Sequence, residues 1–224
     1  MAVPPALFSL AGRAAFVTGA GRGLGEAIAQ GLAQAGARVA LADIDPAVNG
    51  VVERLQAAGH HCMAICLDVR DEAAFEAAFA AASDCLGGAG GGIDIMVNNA
   101  ALTRSTSVWS ITADEWDDVL AVNLRGSFFG CRIAGRHMRG RGSGRIINIA
   151  SIAGQHSSAA SGAHYAASKA GLLALTRTFA AELAPHNISV NSLAPSTINS
   201  PLLDAIDDTR RQAIAESIPL GRFG

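Results

Sequence analysis

Short apolar runs and longer segments of helical period alternate along the whole chain. The runs are AAFV (14–17), RVALA (38–42), CMAICL (62–67), IDIMV (93–97), RIINIA (145–150) and ISVNSLA (188–194). Each has the length of a strand buried in a parallel sheet. Between them, apolar spacing predicts a helix over 24–35, with Leu24, Ile28 and Leu32 on one stripe. Further helices are predicted over 46–58, 71–85, one long stretch 112–139, and 162–184. Thr112 and Glu115 have the spacing of a capping box. Repeated strand–helix alternation requires crossovers, so the prediction is a doubly wound α/β domain over 1–224: a mostly parallel sheet with helices on both faces. Such sheets bind ligands beyond the carboxyl ends of their strands, where the strand order reverses.

Composition narrows the function classes. Half of the 224 residues are apolar and mean hydropathy is +0.30, yet no run is long enough to span a bilayer, so no membrane role is expected. Net charge is −2, and the one arginine-rich stretch, 132–145, reads as the solvated end of a helix, so no nucleic-acid partner is expected. Cys62, Cys66, Cys85 and Cys131 form no C-x-x-C pair, and the opening twelve residues lack the basic end of a secretory leader. They read as reduced core thiols in a cytoplasmic protein. His60, His61, His137, His156, His164 and His186 show no ligand spacing on one helix, so no metal is expected and each reads as a surface or loop residue.

TGAGRGLG (18–25) directly follows the first strand and opens the first helix. A backbone approaching a pyrophosphate needs residues without Cβ, and a helix start offers unpaired N–H groups to an anion. Gly19, Gly23 and Gly25 are the candidates for that approach, with Arg22 and Leu24 beside them. Asp43 ends the second strand near the roughly 20-residue spacing of a carboxylate that binds the adenosine ribose hydroxyls. A carboxylate there repels a 2′-phosphate, whereas Arg22 would attract one; contact distance favours Asp43 and hence NAD over NADP.

Tyr165 and Lys169 are the only tyrosine and the only lysine, in a chain with sixteen arginines. At i and i+4 of a helix they project side by side. An ammonium beside a phenol favours the phenolate and lowers the tyrosine pKa towards the range of a general acid/base.

Thr18-Gly19-x-x-x-Gly23-x-Gly25, NNAA at 98–101, Asn123, Ser151 and Tyr165-x-x-x-Lys169, in this order, resemble the short-chain dehydrogenase/reductase family from about residue 8 to the end. The resemblance implies a Rossmann-like fold and hydride transfer between a nicotinamide dinucleotide and a secondary alcohol or ketone. It implies Tyr165 as acid/base, Lys169 holding the nicotinamide ribose and tuning the tyrosine, Ser151 polarising the reacting oxygen, and Asn123 holding a relay water near the lysine. It implies Asp68 and Val69 at the adenine, and Asn98 and Ala100 at the adenosine ribose where the fourth strand ends. Pro195, Ile198 and Ser200 would receive the carboxamide, and 201–217 would form a lid. A homotetramer pairing the two long helices is the family expectation.

Three departures accompany the resemblance. Ala101 and Ser196 stand where the family usually has glycine, the 151–165 segment is one residue longer, and the family normally continues beyond PLGRFG through another helix and strand. Leu102, Thr103, Gln155, His156 and His164 are candidates for touching substrate. Two substrate classes fit, sugar acids or polyols and 3-oxoacyl thioesters. A dinucleotide-binding regulator without turnover is the alternative reading.

Overall fold

The computed structural model describes residues 8–87, 91–156, 161–198 and 208–224. Six parallel strands form one sheet: β1 (Ala14–Thr18), β2 (Arg38–Asp43), β3 (Cys62–Cys66), β4 (Ile95–Asn98), β5 (Gly144–Ile149) and β6 (Ile188–Leu193). Their order is β3-β2-β1-β4-β5-β6, so successive connections run outward from the centre in opposite directions and the order reverses between β1 and β4. Register across that seam pairs Ala15 with Ile95 and Val17 with Val97. The crevice of a doubly wound sheet lies at this reversal.

Helices α1 (Gly23–Gln34), α2 (Val48–Ala57), α3 (Glu72–Leu86), α4 (Ala113–Leu120), α5 (Ser127–Arg141), α6 (Ala163–Leu183) and α7 (Asp208–Ser217) complete the described fold. Strand alternation sorts the core into two layers. Phe16, Phe75, Phe79, Met96 and Ile146 fill one face of the sheet, and Val17, Val39, Leu41, Val51 and Val97 the other. Side chains of β1 and β4 are buried on both faces and those of β2 nearly so, which explains why these segments read as continuous apolar runs, while the edge strands β3 and β6 are only partly buried. No helix among the described residues is long and apolar enough to cross a membrane.

Two local expectations need correction. The long helix predicted over 112–139 is split by a π-helical segment, Ala121–Gly126. There the Ser127 hydroxyl donates to the Asn123 carbonyl at 2.9 Å, and a Cβ on Gly126 would meet the Val69 side chain at 2.8 Å. The wide turn thus lets the helix pass close to the loop after β3. The cysteines divide: Cys62 and Cys131 are buried, while Cys66 and Cys85 are exposed.

Candidate active site

The glycine loop between β1 and α1 is built by close backbone approaches. A Cβ on Gly25 would stand 2.0 Å from the Gly19 carbonyl oxygen, and one on Gly19, at φ +65°, would stand 2.7 Å from Cα of Ala100. Neither position admits a larger residue without moving backbone. Thr18 Oγ1 accepts from the N–H groups of Asn99 (3.0 Å) and Ala100 (3.1 Å), and Asn99 Nδ2 donates to the carbonyls of Thr18 and Gly19, each at 3.0 Å. The loop after β1 is therefore tied to the loop after β4. Asp43 fastens the other side: Oδ2 accepts from Gly21 N at 2.8 Å and Oδ1 from Asp45 N at 2.9 Å. No side chain caps the first turn of α1, so its leading N–H groups stay available.

These pieces enclose a cavity of about 380 Å³. Its walls bring together Gly19, Arg22, Gly23, Leu24, Gly25, Asp43, Asp68, Val69 and Ala100, with Asn99, Ala101 and Leu102–Arg104 along the β4 side. The chemistry fits a dinucleotide: a glycine cradle that a Cβ would fill, an uncapped helix start for an anion, and a carboxylate at the rim. Arg70 grips the Asp68 carboxylate and holds it below the usual carboxylate range.

Asn98 stands elsewhere. It is buried on the opposite face of the sheet, where Nδ2 donates to Asn148 Oδ1 at 2.8 Å. The neighbouring Asn99 lines the cavity instead, because Asn98 shares strand parity with Met96 and points into that layer.

The polar group at the next lip comes from β5 and α6. Ser151 follows β5 and accepts from Ala153 N at 3.1 Å, capping a single 3₁₀ turn, Ile152–Gly154. Gly154 lets that turn touch α6, since a Cβ there would lie 2.7 Å from the Ala170 nitrogen. Tyr165 and Lys169 project from α6 with the ammonium 5.7 Å from the phenol ring centroid. The side chains of Ser151 and Thr103 stand beside the Tyr165 hydroxyl and favour its phenolate. Lys169 is 2% exposed, and its Nζ donates to the Ile149 carbonyl at 2.8 Å.

The titration of the pair differs from the sequence expectation. Burial raises the Tyr165 pKa above its ordinary value, with the neighbouring Ser151 and Thr103 hydroxyls opposing it only in part. Burial also lowers Lys169 from 10.5 to about 8, because an ammonium loses hydration and no carboxylate pairs with it among the described residues. In this arrangement desolvation outweighs the attraction between ammonium and phenolate.

A profile described as short chain dehydrogenase matches residues 13–211. The chain belongs to the short-chain dehydrogenase family. It is 36% identical to a 3-oxoacyl-[acyl-carrier-protein] reductase of Vibrio cholerae over 96% of this chain and 86% of that protein. Among solved structures, a 3-oxoacyl-[acyl-carrier protein] reductase from Brucella melitensis superposes with a TM-score of 0.91 at 31% identity, over 100% of this chain and 85% of the other. A protein described as an NAD(P)-dependent gluconate 5-dehydrogenase from Beutenbergia cavernae, with NADP bound at low occupancy, gives 0.88 at 36% identity, over 97% and 86%.

Within this short-chain dehydrogenase, Asn123 does not face the lysine with a free amide. Its Oδ1 accepts from Leu102 N at 2.7 Å, and Nδ2 donates to Leu102 O at 3.0 Å and to Ser168 Oγ at 3.1 Å. Both amide protons are thus consumed, one on the strand-end loop that carries Thr103 and the other on Ser168 of α6. Pro195 offers its carbonyl to Ile152 N at 3.1 Å, next to Ser151, and Ile198 follows outside any helix or strand; residues 199–207, Ser200 among them, lie outside the described residues. Only α7 of the lid segment is described. Thr112 caps Glu115 N at 3.1 Å, but the Glu115 carboxylate turns away to Thr106 and His164, so half of the predicted capping box is absent. His164, predicted on the surface, is fully buried. Thr103, a substrate candidate in the sequence, lies beside the phenol and lines the cavity. The NNAA motif placed it beside the cleft, but no local signal aimed its hydroxyl.

Proposed function

We propose that Tyr165 moves the proton, Ser151 orients the reacting oxygen, and Lys169 supplies the local positive charge for this oxidoreductase, which interconverts a secondary alcohol and a ketone. The observation that carries the proposal is the grouping of the Ser151 and Tyr165 side chains and the Lys169 ammonium beside Thr103, which itself lines the glycine-walled cavity. A bound nicotinamide dinucleotide supplies or accepts the hydride. The chain's own residues do the rest. Gly19, Gly23 and the first turn of α1 would hold the pyrophosphate, with Arg22 and Leu24 alongside. Asp68 and Val69 would border the adenine, Ala100 the adjoining ribose, and Pro195 and Ile198 the carboxamide. Lys169 spends one of its three protons on Ile149 O, leaving two for ribose hydroxyls. A phenol whose pKa is raised by burial stays protonated at neutral pH and suits donation to a carbonyl.

We further infer a preference for NAD. Asp43 is fixed by two backbone donors at the rim, with no cation paired to it among the described residues, so its charge faces any 2′-phosphate. One solved relative holds NADP, so both dinucleotides belong in the assay. Like charges about 4 Å apart interact by about 1–4 kcal/mol across intermediate effective dielectrics. Asp43→Asn keeps an acceptor for Gly21 N while removing the charge. It is expected to shift the NADP-to-NAD ratio of kcat/KM upward by about tenfold or more. An unchanged ratio would count against the assignment.

The names of the relatives span both substrate classes, so a panel of sugar acids, polyols and 3-oxoacyl thioesters decides between them. A cytoplasmic setting is part of the same reading, supported by four free thiols. So is a homotetramer that pairs helices across the groove between α4–α5 and α6. That groove, of about 1170 Å³, is lined by Leu120, Leu124, Phe128, Ala174 and Leu175. Light scattering is expected to report a tetramer and to drop to smaller species in Ala174→Glu, which places a charge in that wall.

A further inference from the structure

His164 immediately precedes the catalytic candidate Tyr165 and is 0% exposed. Both ring nitrogens are engaged. Nδ1 lies 2.9 Å from the backbone nitrogen of Tyr165, and Nε2 lies 2.9 Å from Glu115 Oε1. A backbone N–H can only donate, so Nδ1 must be the unprotonated acceptor; the neutral ring then carries its proton on Nε2 and donates it to Glu115. The same Glu115 oxygen accepts from Thr106 Oγ1 at 2.5 Å.

The ring stands where a cap normally would. The first N–H groups of a helix have no intrahelical acceptor, and the capping position before α6 is Gly162, which has no side chain to supply one. A Cβ at Gly162 would lie 2.5 Å from His164 Cε1 and 3.1 Å from the Arg104 carbonyl, so the imidazole and a conventional capping side chain exclude each other. Gly162 N also donates to Arg104 O at 2.8 Å. Three segments therefore meet at this ring: the first turn of α6, the first turn of α4 through Glu115, and the loop after β4 through Thr106 and Arg104. That loop lines the dinucleotide cavity and carries Thr103 to the Tyr165 hydroxyl.

We infer that His164 is a positioning residue: locked by Glu115 as the Nε2–H tautomer, it caps the backbone N–H of Tyr165 and joins the start of the catalytic helix to the cleft loop. With neither nitrogen free and no exposed surface, it acts through Tyr165 rather than on substrate. The inference rests on the assignment of Tyr165 as acid/base. Misplacing a reacting group by about 1 Å costs up to about 10²-fold in rate, which sets the size of the effect.

The test uses the full chain, a substrate from the panel and saturating dinucleotide. His164→Ala and Glu115→Ala are each expected to lower kcat by about tenfold or more, with substrate KM and the fluorescence-measured Kd for NADH within about threefold of wild type. Glu115→Gln retains an acceptor for Nε2–H and is expected to restore kcat to within about threefold of wild type. Independently of activity, the ¹⁵N-histidine spectrum is expected to contain one ring, absent from His164→Ala, with Nδ1 unprotonated and Nε2 protonated. If His164→Ala does not fold, that ring is assigned as the one perturbed by Glu115→Ala. Any one of four results overturns the inference: kcat losses below about fivefold in the alanine variants that fold, an equal loss of NADH affinity, no recovery in Glu115→Gln, or an Nδ1-protonated ring. Tyr165→Phe in parallel separates the two readings, because activity surviving there removes the acid/base assignment while the tautomer still reports on the His164 link.

Discussion

Tyr165→Phe is expected to lower kcat by about 10²–10⁴-fold while leaving the fold and NADH affinity close to wild type. Phenylalanine fills the same space, so the packing of the residue against the first turns of α6 persists, and the change removes only the hydroxyl that stands beside Ser151 and Thr103. Steady-state rates in both directions, with NADH binding followed by fluorescence, check this. A rate near wild type would mean that another group moves the proton. The raised pKa of the phenol also fixes a sign. Carbonyl reduction consumes the phenolic proton, which stays in place across neutral pH, so its rate is expected to hold there. Alcohol oxidation needs the phenolate, so its rate is expected to climb as pH rises into the alkaline range, and pH profiles of the two directions distinguish them.

Lys169→Met is expected to abolish most activity, by about 10²-fold or more, and at the same time to make the protein more stable at neutral pH. The ammonium is 2% exposed with one backbone carbonyl as its hydrogen-bond partner. A fall from 10.5 to about 8 corresponds to about 3 kcal/mol of destabilisation while the lysine is charged. Methionine has similar length and no charge to desolvate, though the Ile149 carbonyl loses a donor at about 1 kcal/mol. The net gain at pH 7 is then about 2 kcal/mol. Linkage gives the pH course. Between about 8 and 10.5 the folded chain binds fewer protons at Lys169 than the unfolded chain, so wild-type stability gains from this group as pH rises through that window. The penalty is fully present below about 8 and gone above 10.5. Urea unfolding of wild type and Lys169→Met at pH 7 and pH 10 is expected to show a difference that shrinks with pH. A variant less stable than wild type at pH 7 would show that the lysine is not strained by burial.

The strands were legible in the sequence because a parallel sheet covered on both faces turns each strand into an apolar run; boundaries such as 14–17 and 38–42 fall within a residue of β1 and β2. The glycine loop and the Tyr165–Lys169 pair were legible for a similar reason: spacing alone places them on one turn and one helix face. What spacing could not supply was the competition for each polar side chain. Asn98 and Asn99 are adjacent and chemically identical, and only strand parity, shared by Asn98 and Met96, separates the buried residue from the one at the cavity. Asn123 has the right identity, but its amide is consumed by Leu102 and Ser168, contacts 21 and 45 residues away in sequence. Glu115 has the spacing of a reciprocal cap, yet a buried imidazole 49 residues later is the partner it takes. Likewise, proximity to Lys169 suggested a lowered Tyr165 pKa, whereas the depth of burial, invisible in a helical period, reverses the sign.

The cradle after β1 is held by Thr18, Asn99 and Asp43 through contacts made entirely within the chain. Fixing the backbone of each loop residue costs about 1–2 kcal/mol in conformational entropy, and here that cost is settled when the protein folds. A dinucleotide arriving at the site meets donors already aimed, so its affinity is not diminished by loop ordering. Its residence time is then governed by the contacts broken as it leaves, and successive turnovers exchange the spent dinucleotide for a fresh one without rebuilding the binding surface.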